Sequence, residues 1–340
     1  MKDRLLYIDR LKGFGIFLVV LGHIIQYNMV NATQNALFEA IYSFHMPFFF
    51  FLSGYVVNKT TNIESVNSYF SFLKKKAISL LIPLFTWALV VKYCFSSNQD
   101  FSLNIFIEII GKQVMNPGLW FLLMLFEIMI VYSFFHIVSK ILNKRISFLL
   151  DLVIFSAFIG IILTMNVFIH GMLMSFLLNL CFFFVGVFIS KFEIVRSLIQ
   201  NKWMFFSSGL LFILLVGHYN FSECDLPAMK GLKVIISLLA IAFFYNLSKV
   251  LIIPGQLNDF LSYMGRSTLV IYVTQFGFLY ILPKTTLIPS ETSVILLGLI
   301  AIPLSVVLMY LCVGIGKIAE TMPVLNLLLY GRPTKYSAIK

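Results

Sequence analysis

The sequence predicts an all-α polytopic membrane protein of about ten transmembrane helices, with both termini on the cytoplasmic side. Three observations predict it. First, 60% of the 340 residues are apolar and only 11% are charged, against roughly 45–50% and 25% in soluble domains. A soluble chain of this size exposes too much surface to hide that many apolar side chains. At about 20 residues per span, the apolar residues suffice for roughly ten crossings. Second, these residues fall in long runs, such as Phe148–Leu163, that show no ten-residue alternation of a membrane barrel. Third, basic residues punctuate the runs. A soluble enzyme, a coiled coil, a disordered chain and a disulfide scaffold are all excluded.

The expected spans follow that punctuation. Span 11–29 comes after Arg10, and 36–57 ends before Lys59. Span 77–95 is opened by Lys74, Lys75 and Lys76, and 118–138 stops before Lys140. Span 146–164 follows Lys144 and Arg145, 172–189 precedes Lys191, and 203–219 follows Lys202. Span 232–249 closes on Lys249, 266–282 opens on Arg266, and 292–314 ends before Lys317. With the N-terminus inside, 20 Lys and Arg fall on the inner side and 5 on the outer, the asymmetry that orients membrane proteins. The formal net charge of +11 is therefore a record of topology and no nucleic-acid footprint. No loop is long enough for a soluble domain, although Phe101–Met115 has the composition of a segment lying in the interface. Residues 1–340 read as a single integral-membrane domain.

The four cysteines, Cys94, Cys181, Cys224 and Cys312, are far apart in sequence and form no metal or redox pattern. Cys181 and Cys312 read as packing residues. A Cys94–Cys224 disulfide is allowed by the topology but not favoured, and no metal site is expected.

Ionisable residues inside a span are costly and mark function by default. Lys12 and His23 are 11 residues apart, three helical turns plus about 20°, so they share a face with Gln26 and lie about 16 Å apart along the axis. Lys12 falls at the inner surface and His23 near mid-membrane. On the second span His45 is expected at similar depth. Two residues later, Pro47 removes a helical donor and frees the carbonyl of Ser43, an arrangement consistent with a wet cavity. Packing roles are the alternative for each residue taken alone.

Glu127 lies mid-span on the face of Trp120, placed to orient a histidine or a hydroxyl, or to pair with a lysine. Lys74, Lys75 and Lys76 suit anionic lipid or a phosphate-bearing ligand. After Arg266, the residues Thr268, Tyr272 and Gln275 share a helical face. Glu39 reads as solvated, Asp151 as paired with Lys144 or Arg145, and His136, His170 and His218 as interfacial.

Together, the stretches YIDRLKGFGIFLVVLGH (Tyr7 to His23), FHMPFFFFLSGY (Phe44 to Tyr55), KKKAISLLIP (Lys74 to Pro83), LWFLLMLF (Leu119 to Phe126), FFFVGVFISK (Phe182 to Lys191) and LSYMGRSTLVIYVTQ (Leu261 to Gln275) resemble acyltransferase family 3. These are integral-membrane acyltransferases, and the nearest subgroup is the fucose 4-O-acetylase-like sugar O-acetyltransferases. The family's basic residue, ten intervening residues and histidine map onto Lys12 and His23. Its basic cluster maps onto Lys76 and neighbours. An Arg that often precedes the LLIP segment is Ser79 here, and a His that commonly ends the last motif is Gln275. Cleavage of the first run as a signal peptide near Ala32 is not expected, because it would discard Lys12 and His23.

The resemblance implies transfer of an acyl group, acetyl by default, from cytoplasmic acyl-coenzyme A to a sugar hydroxyl of a lipid-linked or cell-surface glycan in a bacterial membrane. His23 would act as general base or transient acyl carrier, with His45 and Glu127 assisting. Lys12, Lys74, Lys75, Lys76 and Arg266 would hold the phosphates of acetyl-CoA. Gln26, Tyr272 and Gln275 would meet the substrate. The competing class is a proton-coupled transporter or flippase, which also suits intramembrane histidines but needs no coenzyme A site.

Overall fold

The computed structural model describes residues 6–95, 118–141, 172–250, 255–281, 288–289 and 292–332. The expected span 146–164, the stretch Phe101–Met115, Asp151, His170 and the side chain of Cys94 lie outside the described residues. Cys224 carries a free thiol, so it is not held in the disulfide weighed from topology.

The described residues are helical and contain no strand. In chain order the helices are α1 (Leu6–Asn28), α2 (Ala36–Thr60), α3 (Val66–Phe95), α4 (Trp120–Ile141), α5 (Met172–Lys191), α6 (Glu193–Ile199), α7 (Lys202–Val216), α8 (Pro227–Val250), α9 (Gly255–Arg266), α10 (Thr268–Ile281), α11 (Val294–Glu320) and α12 (Pro323–Tyr330). Among them α2, α4, α5, α8 and α11 are long and apolar enough to cross a membrane, and α6 with α7 makes a sixth if that pair, bent by 60°, is one span.

Two expected spans begin differently. Helix α3 starts at Val66, so Lys74–Lys76 lie within it instead of opening it. Its start is fixed by short polar side chains: the Ser68 hydroxyl accepts from the backbone N–H of Ser65 at 2.9 Å, and Ser65 Oγ accepts from the N–H of Ser68 at 3.2 Å. Such local bonds favour helix starts. The expected span 266–282 is α10 alone, because the chain breaks at Ser267 and the preceding residues form the separate helix α9. The C-terminal α12 ends on Gly331, whose φ of 60° is the left-handed cap that glycine adopts at least cost.

The helices cluster into two compact units. Unit 1 comprises Met1–Asn62, Phe148–Thr268 and Lys284–Val306; unit 2 comprises Ile63–Ser147, Leu269–Pro283 and Val307–Lys340. In unit 2, α12 lies on α3, where Trp87 Nε1 donates to the carbonyl of Leu329 at 3.0 Å. The hydroxyls of Thr274 and Tyr330, also 3.0 Å apart, tie α10 to α12.

Unit 1 is built on backbone contact through missing side chains. A Cβ on Gly54 would overlap the Phe183 carbonyl, and one on Gly186 would overlap the Phe51 carbonyl, so α2 and α5 meet by reciprocal glycines. Gly13 and Gly265 do the same for α1 and α9, against the carbonyls of Leu261 and Asp9. Between helices in lipid, dispersion from such close approach takes the place of hydrophobic driving force. A leucine at Gly186 is expected to leave little correctly folded protein, measurable as lost monodisperse peak on fluorescence-detected size exclusion.

The third contact in unit 1 is polar. Pro47 lies inside α2 and supplies no N–H to the Ser43 carbonyl. The Ser237 hydroxyl of α8 donates to that carbonyl at 2.9 Å, and both serines are fully buried. The freed carbonyl is thus satisfied by protein. Ser237→Ala should destabilise the fold by about 1–3 kcal/mol, the cost of one orphaned buried acceptor. In a Pro47→Ala background, where residue 47 can donate to Ser43, the same change should cost far less. Unfolding midpoints of the four proteins of this cycle check it.

Candidate functional site

Within unit 1 one end of α1 and α2 carries most of the buried polar side chains singled out from the sequence. His23 and His45 are both buried, at 8% and 4% exposure. The Tyr42 hydroxyl joins the two helices by donating to Gln26 Oε1 at 2.6 Å. Gly22 leaves the room for this, since a Cβ there would fall 2.9 Å from the Tyr42 ring. The Tyr42 ring in turn packs edge-on against His45, with centroids 4.7 Å apart. His23 sits edge-on to Tyr27 at 6.5 Å. His45 is within electrostatic reach of His23. The shared face expected for His23 and Gln26, and the approach of His45 to it, are therefore present.

The tautomer of His45 follows from its partner. His45 Nδ1 lies 2.8 Å from the Ile41 carbonyl. A carbonyl only accepts, so Nδ1 carries the proton and Nε2 of the neutral ring is left as an acceptor. A His45 held this way receives a proton or a hydroxyl hydrogen bond; it does not offer one until it is protonated.

Two side chains near this site were not singled out from the sequence. Tyr42 precedes His45 by three residues, a helical spacing that places them side by side. Lys233 was counted only as a topological charge. It is within electrostatic reach of His45, and its Nζ lies 5.9 Å from the centre of the Tyr219 ring. It precedes Ser237 by four residues and so shares the face of α8 that meets α2. The signal available was that one-turn spacing from a polar residue in a span. Glu39, read as solvated, instead accepts from the backbone N–H of Phe221 at 3.1 Å. The Phe221 ring packs edge-on to both Phe38 and Tyr42 at 5.3 Å, closing the turn between α7 and α8 over the start of α2.

The remaining expected residues fall elsewhere. Lys12 is half-buried on α1. The Gly265–Asp9 contact brings Arg266, at the end of α9, to the level of Lys12. The Arg266 guanidinium lies 5.8 Å from the Tyr263 ring. In unit 2, Lys74 and Lys75 are exposed and Lys76 half-buried, its Nζ 5.5 Å from the Phe72 ring. Glu127 is on the exposed face of α4, in helical register with Ile130 and Phe134. The Tyr272 hydroxyl donates to the Gly118 carbonyl. Gln275 is fully buried and donates through Nε2 to the Tyr272 carbonyl at 3.1 Å. Its Oε1 has no hydrogen-bond partner among the described residues, so this amide can accept from a bound group. Among the described residues no cluster of three His, Cys, Asp or Glu is placed to hold a metal ion.

Comparison with known proteins identifies the family. Residues 5–314 match the family model described as an acyltransferase domain. The nodulation protein NolL of Sinorhizobium fredii (strain NBRC 101917 / NGR234) is 31% identical over 150 residues, 41% of this chain and 39% of that protein. NolL of Mesorhizobium japonicum (strain LMG 29417 / CECT 9101 / MAFF 303099) is 31% identical over 121 residues, 32% of each. The chain thus matches between a third and two fifths of the length of these relatives. No solved structure matches significantly. The family match covers most of the chain, including both buried histidines and the helices that carry them, and the protein belongs to the integral-membrane acyltransferase 3 family.

Proposed function

We propose that this protein transfers an acyl group, acetyl in the first instance, from cytoplasmic acyl-coenzyme A to a sugar hydroxyl of a lipid-linked or cell-surface glycan. It would do so as a single domain spanning a bacterial cell membrane about ten times, with both termini inside. The observation that carries the reading is the pair of buried histidines, His23 and His45, on adjoining helices of an acyltransferase-family chain.

In this scheme His23 takes the proton from the attacking hydroxyl as general base, a role worth about 10²–10⁴-fold in rate. The hydroxyl oxygen bonds to the thioester carbonyl carbon, the carbon–sulfur bond breaks, and the proton passes to the departing coenzyme A thiolate. If the acyl group rests first on His23, a ring nitrogen bonds to the carbonyl carbon as the carbon–sulfur bond breaks and the thiol leaves; the sugar hydroxyl oxygen then bonds to that carbon, loses its proton, and the nitrogen–carbon bond breaks to return the imidazole. His45, with Nδ1–H committed to Ile41, fits a role of accepting from a sugar hydroxyl and orienting it. That is a narrower role than stabilising the oxyanion, which needs a donor. Lys12 and Arg266, with Lys74, Lys75 and Lys76, would hold the donor's phosphates. Gln26, held by Tyr42, and the open Oε1 of Gln275 supply acceptors for substrate hydroxyl or amide groups. Tyr272 would support Gln275 more than touch substrate, because its hydroxyl is occupied by Gly118. Glu127 would orient the sugar or a histidine.

The test is mass spectrometry of the surface glycan from cells that carry the native protein, the His23→Ala variant or neither. One sugar should carry one extra acetyl group only with the native protein, while His23→Ala inserts at normal levels and transfers none. A glycan that is identical in all three, together with pH-driven solute uptake by the purified protein, would replace the acyltransferase with a carrier.

A further inference from the structure

Away from the histidines, unit 1 holds a second polar cluster that the proposed chemistry does not use, although Tyr7 and Tyr55 are end residues of the first two sequence motifs. Tyr7 of α1, Tyr55 of α2 and Tyr245 of α8 converge. Their ring centroids are 5.9–6.4 Å apart. The Tyr7 and Tyr55 hydroxyls are 2.6 Å apart, and Gln200 Nε2 donates to the Tyr245 hydroxyl at 3.4 Å. Tyr55 and Tyr245 are buried, at 1% and 0% exposure, so these hydroxyls meet at a fixed point between three helices.

Cations from three elements surround that point. Lys249 Nζ lies 5.0 Å from the centre of the Tyr7 ring and 4.7 Å from that of Tyr245. Lys59 and Lys249 are within electrostatic reach of Tyr55, and Arg196 is within reach of all three phenols. Arg196 is paired with Glu193, an exposed carboxylate 2.5 Å away. Charges that only set topology need no defined position; here Lys249 is held against two aromatic faces, one of them buried.

We propose that this cluster binds a phosphate monoester. Arg196 and Lys249, joined by Arg10, which donates to the Ser248 carbonyl beside Lys249 at 2.8 Å, give the cluster a basic character that suits the roughly −1.5 to −2 of a phosphate monoester at neutral pH. The phenols, the ammonium groups and the guanidinium also supply more donors than acceptors, the balance an acceptor-rich phosphate requires. Two sources carry this group to a membrane surface: the terminal phosphate monoester of a coenzyme A donor and the headgroup of a phosphomonoester lipid. The site stands on either source, so it goes beyond the proposed reaction, and only its coenzyme A arm shares that reading's donor.

The experiment uses the full-length protein in phosphatidylcholine nanodiscs. Binding of coenzyme A and of 3′-dephospho-coenzyme A is measured by microscale thermophoresis. Thermal midpoints are compared with and without phosphatidic acid in the disc. If coenzyme A is the source, Lys249→Gln and Arg196→Gln should each weaken its binding about tenfold, one charge-assisted hydrogen bond, and leave 3′-dephospho-coenzyme A unchanged. If lipid is the source, phosphatidic acid should raise the native midpoint, and the variants should lose that rise. Lys59→Gln, at an exposed position, gives the same reading where a buried-side variant folds poorly. Native binding of both ligands in all three variants, with no effect of phosphatidic acid, would overturn the proposal and leave the phenols as a packing contact. His23→Ala should retain phosphate binding, which separates failure of this site from failure of the acyl-transfer reading.

Discussion

A backbone carbonyl that loses its helical donor inside a membrane must find another, and in this protein that need joins α2 to α8. Pro47 orphans the Ser43 carbonyl, and the Ser237 hydroxyl satisfies it. An unsatisfied group in hydrocarbon costs several kcal/mol, so the alternatives are a partner helix or water. The choice of a partner helix has consequences for the neighbouring residues on both helices. His45 follows Ser43 by two positions, and Lys233 lies one turn from Ser237. The same hydrogen bond that satisfies the carbonyl therefore sets the level at which an imidazole and an ammonium approach each other.

The rest of unit 1 fixes α1 and α2 around that bond by means that leave little slack. Reciprocal glycines press α2 on α5 and α1 on α9, so neither helix can slide without a backbone clash. The Tyr42–Gln26 hydrogen bond then couples the two helices at the level of the histidines, and the Tyr7–Tyr55 bond couples them at the other end. Helices held at both ends fix the buried imidazoles in place. The polar groups are few, and most of those described have a named partner. In unit 2, Oε1 of the buried Gln275 is among the buried side-chain atoms without a hydrogen-bond partner in the described residues.

Much of this was legible in the sequence, for physical reasons that also explain the misses. Apolar runs located the described helices because lipid demands long apolar segments whatever their packing. The 11-residue spacing of Lys12 and His23 fixed their common face because helical periodicity is insensitive to context. The same logic misplaced the start of α3, since Ser65 and Ser68 nucleate a helix in a polar stretch that hydropathy reads as loop. It also missed α9, a short helix too polar to be a span, whose place against α1 depends on Gly13 and Gly265. The orphan carbonyl of Ser43 was readable from Pro47 alone, whereas its partner Ser237, 194 residues downstream, was not. Lys233 was hidden because a lysine near a span end has a sufficient topological explanation. Glu39 looked solvated because nothing local shows that the Phe221 N–H returns to it.

The central claim is that His23 and His45 act as one unit on one substrate, and a double-mutant cycle on kcat/KM for acyl transfer tests it most directly. Groups that share a transition state are strongly non-additive. With His23→Ala, His45→Ala and the double variant assayed against the same acyl-coenzyme A and glycan, the double variant should be no worse than the poorer single variant. Losses that multiply, so that each histidine contributes its full effect in the absence of the other, would contradict a shared site and return His45 to a packing role beside Tyr42.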